Sequence, residues 1–171
     1  DVIGDIVLSA ASQQYGGFTI PSVDLILEPY AELSYSKIVE KYLMLGLSRE
    51  KAEEIAWKAI EYDFRQGFQG WEYKFNTVGS SRGDYPFITV TTGTGTGRFA
   101  KMASKVMFDV RRGGQGKEGF KKPVLFPKIV FLYDNELHGP GKSCEDVFEA
   151  GILCSSKTMY PDWPSLTGEG Y

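Results

Sequence analysis

A run of small hydrogen-bonding side chains with a single arginine begins at Asn76 and ends at Asp84. Apart from Arg82, the stretch Gly79-Ser80-Ser81-Arg82-Gly83 carries little side-chain bulk. Backbone N–H groups can therefore approach a ligand, while two hydroxyls and one guanidinium supply donors suited to phosphate or ribose. Asn76, Ser80, Ser81, Arg82 and Gly83 are accordingly the candidate binding residues. The same composition also suits a plain turn ahead of a buried strand, with Arg82 paired to Asp84. Both readings stand at this level.

Other reactive side chains offer less. His138 is the sole histidine, in a loop with Gly139, Pro140 and Gly141. No second histidine or tight cysteine spacing accompanies it, so it reads as a solvent-exposed loop residue rather than a base or metal ligand. Cys154 lies in an expected helix without a readable activating partner and reads as a buried structural thiol. With Cys144 it makes only two cysteines, expected as free thiols. The glycines at 93, 95 and 97 suggest a nucleotide fingerprint, but Arg98 stands where the last glycine would be needed. A phosphate loop also fails, since Gly116-Lys117 is followed by Glu118.

At 171 residues, with 42% hydrophobic and 24% charged residues, the chain suits a globular domain with one sizeable core. A net charge of −3 supplies no general field for a nucleic-acid polymer. No apolar run reaches the length of a bilayer span, and no signal-peptide pattern opens the chain, so a cytoplasmic location is expected.

The elements that would hold these residues alternate. A helix is expected over residues 2–14, ended by Gly16-Gly17, followed by β-prone runs at 18–20 and 23–27 that Pro21 interrupts and Glu28-Pro29-Tyr30 closes. Helical pattern starts near Ser36, breaks at Gly46 and restarts behind the N-cap candidate Ser48. Ala52, Ile55, Ala56, Ala59, Ile60 and Phe64 line one face, Glu54 and Lys58 form a favourable pair, and regular helix is expected to about Arg65, distorted or continuing beyond it. This helix pair reads as core packing in preference to a dedicated subunit interface. A strand at 87–91 and a helix at 98–112 follow, the latter with Phe99, Met102, Ala103, Val106, Met107 and Val110 inward. After a flexible glycine-rich segment at 113–119 come an apolar strand within 124–133, a loop at 135–143 and a helix at 144–157. The alternation implies an α/β arrangement with parallel neighbours.

Ordered blocks carry a resemblance. They are Ala11-Ser12-Gln13-Gln14-Tyr15-Gly16-Gly17 with Ile20-Pro21; Asn76-Thr77 through Ser81-Arg82-Gly83 and Pro86-Phe87; Pro123-Val124-Leu125-Phe126-Pro127-Lys128-Ile129; and Cys154-Ser155-Ser156-Lys157-Thr158-Met159-Tyr160-Pro161-Asp162. In order and spacing the chain resembles the middle of the catalytic subunit of the anaerobic (class III, glycyl-radical) ribonucleoside-triphosphate reductases.

The resemblance implies an α/β fold: a portion of a ten-stranded α/β barrel whose parallel strands alternate with helices. Residues 1–171 are expected as a single fragment of that barrel, and both ends read as cut. The thiyl-bearing finger loop, the glycyl-radical region and a C-terminal zinc would lie outside this chain, which would bind no cofactor and be silent alone. Residues 36–65 match an effector-binding helical wall, and residues 77–84 match a loop bridging effector and substrate. The implied partners are a ribonucleoside triphosphate, ATP or dNTP effectors, a radical-SAM activating enzyme and a second copy in a homodimer. The rivals are a self-contained nucleotide-binding regulatory module and a formate-lyase relative sharing the barrel.

Overall fold

The computed structural model describes residues 2–14, 16–79, 83, 85 and 87–167. Helix α1 (Val2–Ala11) leads to strand β1 (Gly17–Ile20), with the turn made at Gly16, whose φ of 105° favours glycine. Gly4 lets α1 sit directly on α3 (Arg49–Thr77): a Cβ there would come within 2.9 Å of the Trp71 indole.

The apolar run at 23–27 is helical, not extended. It opens α2 (Val23–Met44), and Glu28-Pro29-Tyr30 lies inside that helix rather than closing a strand. The reason is tertiary. Ser22 turns the chain at φ 44° and donates its N–H to Thr91 Oγ1 at 2.7 Å, while Asp24 in the first turn is fixed by a distant loop. Helix α2 also carries apolar residues on opposite sides: Val23, Ala31 and Val39 face inward, whereas Leu25, Tyr30, Leu33 and Met44 are exposed. That spread erases the helical period on which a sequence reading depends.

Ser48 caps α3 as expected, its Oγ accepting from the Lys51 N–H at 3.3 Å. Lys58 pairs with Glu54 at 2.6 Å, and together with Lys51 holds that carboxyl at about 2. Helix α3 runs unbroken for 29 residues, well past Arg65, because Phe68, Trp71, Glu72 and Phe75 continue the buried stripe of Ala52, Ala56 and Ile60. Its contacts with α2 bury Val39, Ala52 and Ala56 together, so this pair is core packing on that side.

Strand β2 (Phe87–Thr92), helix α4 (Arg98–Gly113), strand β3 (Lys128–Phe131), the short helix α5 (Asn135–His138) and helix α6 (Glu145–Thr158) complete the chain. The inward face of α4 is as expected, with Phe99, Met102, Ala103, Val106, Met107 and Val110 all buried. The expected strand within 124–133 shortens to β3, and the loop at 135–143 holds α5. The segment at 113–119 enters a hairpin closed by an antiparallel bridge between Gln115 and Lys122.

The sheet is parallel throughout, in the order β1-β2-β3, and Asp162 and Ser165 continue it beside β3 through parallel bridges to Val130 and Tyr133. Strands added one after another by right-handed crossovers place their connecting helices on one face. The register agrees. Ile20, Val90 and Ile129 form a fully buried row within the helix-covered core, whereas the alternate row of Thr19, Thr89 and Lys128 is exposed or half-buried. The fold is therefore α/β, with a three-stranded parallel sheet backed by helices.

Candidate functional site

The strand entrances form one edge of the sheet. Here α3 ends at Thr77 and β2 begins at Phe87, with residues 78–86 joining them in sequence. Asn76, the penultimate residue of α3, has the hydrogen-bonding positions of its side-chain amide filled. Its Nδ2 donates to the Glu72 and Phe126 carbonyls, each at 2.6 Å, and its Oδ1 accepts from the Leu125 and Phe126 N–H groups, each at 3.1 Å. Asn76 is thus an anchor between α3 and the lead into β3. Gly83 sits at φ 83°, a conformation that favours glycine, and no described residue lies within 4 Å of where a Cβ would project. Ser80, Ser81 and Arg82, together with Asp84, lie outside the described residues.

Beneath this edge is a buried ion pair. Arg111 Nε donates to Glu72 Oε1 at 2.7 Å and Arg111 Nη2 to the Pro127 carbonyl at 2.6 Å, with side chains only 0% and 4% exposed. Burial raises the Glu72 pKa above the usual carboxylate value, against the lowering by the Arg111 charge. The sequence reading missed both residues. A signal existed for Arg111, which continues the spacing of Ala103 and Met107 on the buried face of α4.

The strand exits form a second polar cluster. Asp24 is fully buried, and its Oδ2 accepts from the N–H groups of Gly93 at 3.0 Å and Gly95 at 2.8 Å. The glycine loop therefore spends these N–H groups on an internal carboxylate, a physical counterpart to its failed fingerprint. Gly95 is a packing requirement, since a Cβ there would collide with Ala100, whereas one at Gly97 would meet the mobile end of the Glu28 side chain. A lone carboxylate in the apolar run 23–27 was the available sign of Asp24.

His138 corrects the expectation of an exposed loop residue, being only 1% exposed. Its Nε2 lies 2.7 Å from the Gly93 carbonyl, which can only accept, so Nε2 carries the proton; Nδ1 then accepts from the Asp134 N–H at 2.9 Å. The ring packs on Phe131 at 4.6 Å between centroids. It clamps the exits of β2 and β3 together. Cys144 and Cys154 are free and buried, as expected, and burial raises the Cys154 pKa, which keeps that thiol protonated and unreactive. Among the described residues no group of His, Cys, Asp and Glu has the arrangement to hold a metal ion.

Between these edges lies the open face of the sheet. Thr19, Thr89 and Lys128 form one row, and Thr91, Val130 and Asp162 the next, with Lys128 paired to Asp162 at 2.8 Å. Among the described residues no helix is long and apolar enough to cross a membrane.

The family model described as anaerobic ribonucleoside-triphosphate reductase matches residues 1–170. The anaerobic ribonucleoside-triphosphate reductase of Enterobacteria phage T4 is 34% identical over 162 residues, covering 94% of this chain and 26% of the phage protein. The proteins of that name from Haemophilus influenzae and Escherichia coli are 35% and 32% identical over 94% of this chain, and 22% of each is covered. This chain thus spans between 22% and 26% of the length of these relatives. A match that runs almost end to end places the chain in the anaerobic ribonucleoside-triphosphate reductase family.

Proposed function

We propose that this chain is a central segment of the catalytic subunit of a class III reductase that converts ribonucleoside triphosphates to deoxyribonucleoside triphosphates by glycyl and thiyl radical chemistry. The near-complete family match carries this reading. The segment contributes part of a ten-stranded barrel, and its single-faced, sequentially ordered parallel sheet is the layout that closing into a barrel requires. The radical-bearing residues and the zinc belong to other parts of the polypeptide.

In this reading the connection at 78–86 supplies substrate and effector specificity. Arg82 presents a guanidinium to a phosphate or base, with Ser80, Ser81 and Gly83 allowing close approach, and Asn76 fixes the start of the connection. The exposed apolar residues at the end of α2, Met44 with Leu45 just beyond it, fit a wall that a second copy covers in a homodimer, where ATP or dNTP effectors bind. A radical-SAM enzyme activates the parent protein, which works in the cytoplasm.

The direct test is anoxic assay of the full polypeptide with its activating enzyme. Glycyl-radical formation followed by reduction of ribonucleoside triphosphates is the expected result. A stable glycyl radical without reduction of any of these substrates would overturn the reading.

A further inference from the structure

Arg111 is 1% exposed, and its single guanidinium joins parts of the chain far apart in sequence. It holds Glu72 of α3 at 2.7 Å and the Pro127 carbonyl ahead of β3 at 2.6 Å, and it lies 5.2 Å from the centre of the Tyr160 ring. One turn beyond Glu72, Asn76 takes the Glu72 carbonyl and both polar groups of Phe126. Phe126 in turn packs its ring on Phe87, the first residue of β2, at 5.1 Å between centroids. Gln115, just past α4, ties the hairpin to α3 through the Gln69 carbonyl at 2.9 Å.

These bonds share one consequence. The point at which the chain leaves α3 and the point at which it enters β2 are both tied to the same stretch, 125–127. A buried guanidinium held by a carboxylate and a carbonyl has few alternative geometries, because each donor has a fixed direction in the planar fork. A carboxylate placed only to stabilise the core would be a poor choice, since hydrophobic residues of similar volume commonly serve stability as well or better.

We infer that Glu72 and Arg111 are positioning residues for the two ends of the 78–86 connection: through Pro127 and Asn76 they fix the last turn of α3 and the first residue of β2, and so govern the nucleotide specificity proposed for what lies between. The nucleotide half of this statement rests on the function proposed above; the positioning half rests on the bonds alone.

The test uses the full-length reductase, with Glu72→Gln as the first variant. Glutamine keeps the shape and an acceptor but removes the charge that holds Arg111. Arg111→Lys is the second, keeping the charge but losing the fork that reaches Glu72 and Pro127 together. Two quantities are read in whichever variants remain folded by circular dichroism: amide exchange over residues 77–87 and 124–128, and turnover on the four ribonucleotides with each effector. Faster exchange in both segments, with effector-dependent substrate preference reduced about fivefold or more, is the expected result. Restored preference in Glu72→Asp, relative to Glu72→Gln, would add support. Unchanged exchange in the folded variants would overturn the positioning role. Faster exchange with unaltered preference would leave positioning in place and overturn the assignment of specificity to the connection.

Discussion

The Asp24 carboxylate, in the first turn of α2, accepts the N–H of Gly95 at 2.8 Å across 71 positions of sequence, and the N–H of Gly93 with it. A glycine-rich loop that resembles an anion cradle is thereby filled from within by an anion of its own chain. Asp24→Ala leaves these N–H groups buried without partners, at a cost of about 2–5 kcal/mol. Thermal unfolding of the full polypeptide, with amide exchange localised to 93–97, checks this. Exchange as slow as in the parent at Gly93 and Gly95 would contradict it.

The glycines of that loop should differ in tolerance. At Gly95 an added methyl meets Ala100 and the Asp24 carboxylate, both fixed by packing, whereas at Gly97 it meets only the tip of Glu28, which can rotate away. Gly95→Ala is therefore expected to destabilise by about 1–3 kcal/mol and Gly97→Ala by less. Denaturation midpoints of the two variants provide the comparison, and the reverse order would count against this packing.

How far the sequence carries this far depends on whether a residue's partners are local. The core face of α4 and the Ser48 cap are set by neighbours within a turn or so, and both were readable. The helical state of 23–27 depends on Thr91, Gly93 and Gly95, roughly 70 positions away, and a β-prone composition pointed the other way. The same holds for His138. A glycine and proline neighbourhood signals a surface loop, but the ring is drawn inward by the Gly93 carbonyl and Phe131. Of the candidate binding residues, Asn76 was legible as important and not as an anchor, because its partners sit at 125 and 126.

His138→Ala should remove the clamp between strand exits and leave the Gly93 carbonyl unpaired, destabilising by about 1–3 kcal/mol. Since both ring nitrogens are committed to the main chain, added metal chelator is expected to leave the wild-type unfolding midpoint unaffected by way of this residue. A chelator-sensitive midpoint that His138→Ala abolishes would contradict the assignment.

Asp146 should contribute an acid-sensitive term. Burial raises its pKa, but the hydrogen bonds from Lys101 at 2.8 Å and Lys105 at 2.7 Å outweigh this, and the net value falls below the ordinary 3.8. A carboxyl depressed on folding stabilises above its unfolded pKa, and the contribution is lost as pH falls from near 3.8 through the lower folded value. Unfolding midpoints of wild type and Asp146→Asn should therefore converge across that window and differ most at neutral pH. A constant difference down to the lowest pH would refute the linkage.

The central claim is that the connection after α3 gives a family reductase its nucleotide specificity, and Arg82→Ala in the full-length enzyme tests it most directly. Turnover on all four ribonucleoside triphosphates, each measured with every effector, should show a changed order of preference or a weakened effector response, with the fold intact by circular dichroism. Loss of a loop cation removes a ligand contact without removing core volume. Identical turnover and identical effector response would contradict the account, and would leave Arg82 as a partner of Asp84 in an exposed turn worth about 0–1 kcal/mol.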